Sequence, residues 1–240
     1  MKLLKAATFS ALLLALASVA NANITYQLGS YGSKGYDGLP GGDPGSNVNT
    51  ALVYDGYNAT SGTLSSTYSG GPATAYNIAP NSGWMGPITG SDWVSYADSG
   101  SGPVSPANGY YEYTSTFTVS STGAYDGIMD VLADDTLAMW IDGQLIVNYA
   151  TGPNSTCQTN EPNCRVIDQI AISNLLLTAG TNTITVIDDQ TNDSAAGIDF
   201  QGNLTETPEP SSLLLLGTGF LGMAIALFRK NKPSGLILHQ

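Results

Sequence analysis

The sequence predicts an all-β fold, a two-sheet, jelly-roll-like β-sandwich flanked by an N-terminal signal helix and a C-terminal transmembrane helix. Three observations carry this. The region between the ends is rich in Gly, Ser, Thr, Asn and Tyr and sparse in charge, a balance that favours strands and turns. Apolar and polar residues alternate along Tyr110–Val119 with the period of two of a half-buried strand. Two β-type runs, Leu137–Ile141 and Gln144–Asn148, flank Asp142-Gly143, the strongest short-range hairpin signal because both central positions tolerate positive φ.

The elements follow in chain order. Lys2 and Lys5 precede the apolar run Ala11–Ala17 and then Ala20-Asn21-Ala22, the order of a cleavable secretory signal over residues 1–22. Residues 23–206 form the ectodomain, about 185 residues, enough for one domain with a full core. Its predicted strands are Ile24–Leu28, Ala51–Tyr57, Tyr110–Val119, Gly127–Ala133, Leu137–Ile141, Gln144–Asn148, Val166–Ile172, Thr183–Ile187 and Gly197–Leu204. Turns are expected at Ser120–Tyr125, Ala179–Asn182 and Gln190–Ala196. Trp93 is assigned to the core, whereas Trp84 fits either the core or a glycan-stacking surface.

Residues 207–240 form a tail. Thr207-Pro208-Glu209-Pro210 breaks the chain, an uncharged stretch covers 213–228, and Arg229, Lys230 and Lys232 make a basic end at 229–232. The stretch is at the short end of what spans a bilayer, and the basic cluster places the ectodomain outside. An ordinary single-pass anchor after a proline linker would give the same topology.

Charge excludes one class of partner. The ectodomain has two basic residues, Lys34 and Arg165, against eighteen Asp and Glu, a net charge of −16. Such a surface repels phosphate backbones, so nucleic acid is not an expected partner, while divalent cations and neutral glycans are compatible. The two cysteines, Cys157 and Cys164, lie in a loop-like segment of an exported chain, and a local disulfide is expected. A zinc pair would need further ligands, and the single histidine, His239, stands beyond the tail helix.

The proline break, apolar stretch and basic end resemble the PEP-CTERM sorting signal of bacterial envelope proteins, with Pro208, Glu209 and Pro210 as its motif and Arg229 and Lys230 at its basic end. The resemblance implies recognition by an exosortase-type enzyme and processing during export. The protein would be membrane-anchored before processing, and then reside at the cell surface or in an exopolysaccharide-rich matrix. A second, shorter resemblance lies in Ala133–Val147, which is similar to the Asp-Asp, strand, Asp-Gly hairpin of the protective-antigen-like domain family, a jelly-roll sandwich with flocculin-type members. In those members paired aspartates joined by a cis peptide hold a calcium ion that contacts sugar. Asp134 and Asp135 match them.

Adjacent carboxylates repel unless a hard cation or hydrogen-bond donors compensate. A second oxygen-rich turn is expected at Asp188, Asp189, Asn192 and Asp193. Both clusters also fit turn caps on a solvated surface, the simpler reading. There is no phosphate loop, nucleophile elbow or histidine cluster. The expected function is therefore a non-catalytic exported surface or matrix protein, binding glycan together with calcium. The alternatives are a glycan-active enzyme using carboxylates such as Glu112, Asp130 or Asp134, which would need an opposed pair across a cleft, and a purely structural envelope protein.

Overall fold

The computed structural model describes residues 24–30, 53–58, 73–96, 105, 108–152, 157–191, 194–207 and 217–223. Two compact units are present, Ile24–Thr207 and the two chain ends, Met1–Asn23 with Pro208–Gln240. In the second unit a helix, α1, runs over 217–223 with its residues exposed. Among the described residues no helix is long and apolar enough to cross a membrane. The signal segment 1–22, the remainder of 213–228, the motif Pro208, Glu209 and Pro210, and Arg229 and Lys230 lie outside the described residues.

The first unit is built from strands. In chain order they are β1 (Thr25–Gly29), β2 (Val53–Asn58), β3 (Ala73–Thr74), β4 (Tyr76–Asn77), β5 (Val94–Ser95) and β6 (Gly109–Val119). These are followed by β7 (Gly123–Asp134), β8 (Thr136–Ile141), β9 (Gln144–Val147), β10 (Asp168–Leu177), β11 (Gly180–Gln190) and β12 (Gly197–Glu206). One antiparallel sheet has the order β10-β7-β12-β5-β4, with β1 also paired to β12; the other has the order β3-β2-β6-β11-β8-β9.

Alternation sets which face is buried. Along β6, Tyr111 and Tyr113 are buried between half-buried Glu112 and Thr114. Along β11, Ile184, Val186 and Asp188 belong to the buried set. Tyr111, Tyr113, Ile184 and Val186 meet Tyr125, Met129, Val131 and Phe200 of the opposite sheet in one apolar core. Each such side chain contributes about 1.5–3 kcal/mol by leaving water. The β8–β9 hairpin turns at Asp142 and Gly143, with φ of 47° and 75°, as the Asp-Gly pair requires.

Among the described residues all nine predicted strands are present, with three short ones added. The expected turn at Ser120–Tyr125 is narrower, because β7 already starts at Gly123, where buried Tyr125 pairs with Leu175 of β10. The turn expected at Ala179–Asn182 likewise gives way to β11 from Gly180, whose pairing with Val119 starts a continuous ladder. At the other end of this strand, Asp188 and Asp189 lie inside β11 instead of on a turn.

A second, smaller apolar cluster joins Ile78, Ile88, Trp93, Leu132, Cys157 and Cys164, with Trp84 packed against it. Trp93 is completely buried, as expected, and Trp84 stacks on it at a ring-centroid distance of 4.3 Å. The 157–164 disulfide is formed.

Candidate functional site

The β7–β8 connection brings Asp134 and Asp135 under cover. Asp134 ends β7 opposite Gly197, Asp135 follows through a cis peptide, and the two are 0% and 2% exposed. Neither carboxylate is at a mouth open to solvent. The backbone amide of Cys157 donates to both, 2.8 Å to Asp134 Oδ1 and 2.9 Å to Asp135 Oδ1. The Trp84 indole Nε1–H donates to Asp134 Oδ2, and Thr191 donates to Asp135 Oδ2 through its amide (2.6 Å) and its hydroxyl. Hydrogen-bond donors from three loops thus stand where the sequence reading allowed either donors or a cation.

Alternation along β11 turns Asp188 inward, in register with Tyr111 of β6 and Leu137 of β8. Asp188 is fully buried, and neither of its carboxylate oxygens has a hydrogen-bond partner. Burial, and then the charges of Asp134, Asp135 and Asp189, hold its pKa well above the ordinary carboxylate value. Asp134 is pushed up to about 7, first by burial and then by its hydrogen bond and charge interaction with Asp135; Trp84 and Cys157 oppose the shift. Asp189 is raised to about 6 by burial and by Asp135. Arg165 is the one basic residue among the described residues, and it is exposed. Among the described residues no basic side chain offsets the raised pKa of Asp134, Asp188 or Asp189.

At the rim, Tyr110 and Tyr149 meet edge to face at 6.1 Å. The buried Tyr149 hydroxyl has no hydrogen-bond partner, and burial followed by the charge of Asp189 raises its pKa. Of the residues predicted for metal binding, Asp134, Asp135, Asp188 and Asp189 come together electrostatically from separate parts of the chain, while Asp193 lies outside the described residues. Among the described residues no three His, Cys, Asp or Glu side chains form a group that could hold a metal ion as they stand. The candidate acid-base residues do not converge. Glu112 alternates with buried Tyr111 and Tyr113, and Asp130 alternates with buried Met129 and Val131, so each points out from a different sheet.

One buried acid was not anticipated from sequence. Asp199 on β12 is fully buried and accepts from Ser91 Oγ (2.5 Å), Ser30 Oγ (3.2 Å) and the Ile88 amide (2.8 Å). Burial raises its pKa to about 7 against these three bonds. Its signal in the sequence is its place between Ile198 and Phe200, in a strand with both faces covered.

No curated protein matches the chain. Several solved structures are similar at low identity. A Podospora anserina GH26-CBM35 β-(1,4)-mannanase is 15% identical, with 67% of this chain and 29% of that chain covered and a TM-score of 0.33. A family 35 carbohydrate binding module from Clostridium thermocellum is 15% identical, with 65% and 93% covered and a TM-score of 0.29. The PA14 domain of the MpAFP antifreeze protein is 16% identical, with 67% and 84% covered and a TM-score of 0.30. The chain thus spans less than a third of the mannanase. Residues 206–230 match the model of the PEP-CTERM protein-sorting motif. The chain therefore carries the sorting motif of exported proteins that are anchored through the C-terminus and processed by an exosortase-type system.

Proposed function

We propose that the 24–207 domain is a non-catalytic surface or matrix module that binds glycan and takes up calcium at its acidic end. The observation that carries this is Asp188: a completely buried carboxylate with two unpartnered oxygens, beside three further carboxylates, with no basic side chain among the described residues offsetting their charge. A buried charge in that setting calls for a proton or a hard cation. The donor set is all oxygen and anionic, which suits calcium better than a softer metal. Asp188 would be the principal holder, with the charge of Asp189 on the other face of β11 adding to the negative potential there. Bound calcium would supply charge neutralisation and a fixed oxygen geometry. Full coordination requires Asp134 or Asp135 to share oxygens now bonded to Trp84, Cys157 and Thr191.

Because Asp134 and Asp135 are covered, a glycan at this end would meet half-buried Tyr110, Glu112, Tyr149 and Asp189 instead of the aspartate pair. Tyrosine rings provide apolar faces for sugar C–H groups, and the carboxylates accept from hydroxyls. The outward and separate placement of Glu112 and Asp130 supports binding without hydrolysis.

The test is thermal unfolding of the purified protein in calcium, magnesium or chelator. Calcium above its dissociation constant should raise Tm with the logarithm of its concentration, and magnesium should do less. Asp188→Asn should abolish the increment. An unchanged wild-type Tm at millimolar calcium would overturn the calcium reading. Turnover of a neutral polysaccharide, in place of saturable binding, would overturn the non-catalytic one.

A further inference from the structure

We infer that the loop closed by the Cys157–Cys164 disulfide is the clamp that orients Asp134 and Asp135, so that the redox state of this bond governs the acid cluster. The inference rests on the acid-cluster reading above for its functional meaning, but its test does not require a cation.

Backbone groups of the loop lock it onto the β7–β8 connection and onto Met85. The Cys157 amide is shared by the two Oδ1 atoms, and the Gln158 amide reaches the Asp135 carbonyl at 3.3 Å. The Asn163 carbonyl accepts from the Ala133 amide at 3.1 Å, and the Cys164 carbonyl accepts from the Met85 amide at 2.7 Å. The last contact is next in sequence to Trp84, the other donor to Asp134. Both half-cystines are buried, and Cys157 has φ of 56°, a left-handed backbone that residues with a Cβ rarely adopt. The covalent link and the two carboxylate acceptors hold it in that conformation.

Opening the bond changes this balance. A dithiol reductant supplies two electrons and two protons, the S–S bond becomes two thiols, and the reductant closes to its cyclic disulfide. The residues between the half-cystines then regain conformational freedom, and the Cys157 amide no longer has a fixed place. Two adjacent carboxyl groups that have lost their shared backbone donor are no longer held side by side. The donors on the far side, Trp84 Nε1–H and the Thr191 amide, lose their acceptors as a consequence.

The experiment follows hydrogen exchange at the Trp84 indole and the Thr191 amide by NMR, in chelator, on oxidised protein, on protein reduced with dithiothreitol and on reoxidised protein. Reduction should accelerate exchange at both sites at least tenfold beyond any acceleration at the Ile184 and Val186 amides of β11, and reoxidation should restore it. Unchanged exchange at Trp84 and Thr191 would overturn the clamp. So would parallel loss at Ile184 and Val186, since the bond would then hold the whole sandwich. Asn163→Ala gives a second route with the disulfide intact. Its Oδ1 accepts from the Arg165 and Val166 amides at 2.8 and 3.0 Å, and its loss should loosen the loop and reproduce the effect at smaller amplitude. Calcium titration of the oxidised protein runs in parallel: no binding together with a redox-dependent exchange rate removes the cation reading and leaves the clamp.

Discussion

Asp199 allows a pH experiment whose sign and size follow from the structure. Its carboxyl is raised from 3.8 to about 7, mainly by burial. A folded-state pKa above the unfolded one means that the protonated form favours folding. The stabilisation is fully present below about pH 3.8 and is lost as pH rises through about 7. The shift of about three pK units corresponds to about 4 kcal/mol between those limits, with a slope approaching 1.4 kcal/mol per pH unit. Asp199→Asn removes the titration with little change in volume. Its Oδ1 can accept from the Ile88 amide while its Nδ2 donates to the Ser30 and Ser91 hydroxyls, which already have the Asp92 and Ile88 carbonyls as acceptors. Urea denaturation of both proteins from pH 4 to pH 8 in chelator gives the difference curve, in which titration of Asp134, Asp188 and Asp189 cancels. The Asn protein should gain on the wild type steadily as pH rises. A flat difference would refute the reasoning and place the Asp199 pKa at its ordinary value.

Further outcomes follow from other contacts. Trp84→Phe, which removes one donor to Asp134 while keeping an aromatic ring on Trp93, should destabilise the protein by about 1–2 kcal/mol at pH 8 in urea denaturation. Tyr149→Phe should change stability by less than about 1 kcal/mol, since its buried hydroxyl has no partner; Tyr125→Phe should cost about 1 kcal/mol because it breaks the 2.8 Å bond to the Ser121 carbonyl. Gly127→Ala should be among the most damaging substitutions, about 3 kcal/mol or more by calorimetry, because its Cβ would fall 1.9 Å from the Asn203 carbonyl oxygen and β7 and β12 would have to part. Reducing the disulfide should lower global stability by about 2–3 kcal/mol, as expected for so short a loop.

Much of the fold was legible because it depends on local chemistry. The pleat turns a period of two into one buried face, so Tyr111 and Tyr113 declared themselves, and Asp142-Gly143 could supply the positive φ that its hairpin needs. The disulfide followed from two cysteines in one loop, and the sorting tail from the order of proline motif, apolar stretch and basic end. Asp188 was read as a turn residue because its acidity suggested a solvated cap, whereas β11 runs on through Gln190 and the pleat turns it inward. The remainder of the site depends on what covers each face, and that is settled by contacts between distant segments. Trp84 reaches Asp134 across 50 residues, Thr191 reaches Asp135 across 56, and Ser30 reaches Asp199 across 169. A strand pattern says which side of the sheet a carboxylate takes, but only the tertiary closure of loops over that side decides whether it meets water, a donor or another charge.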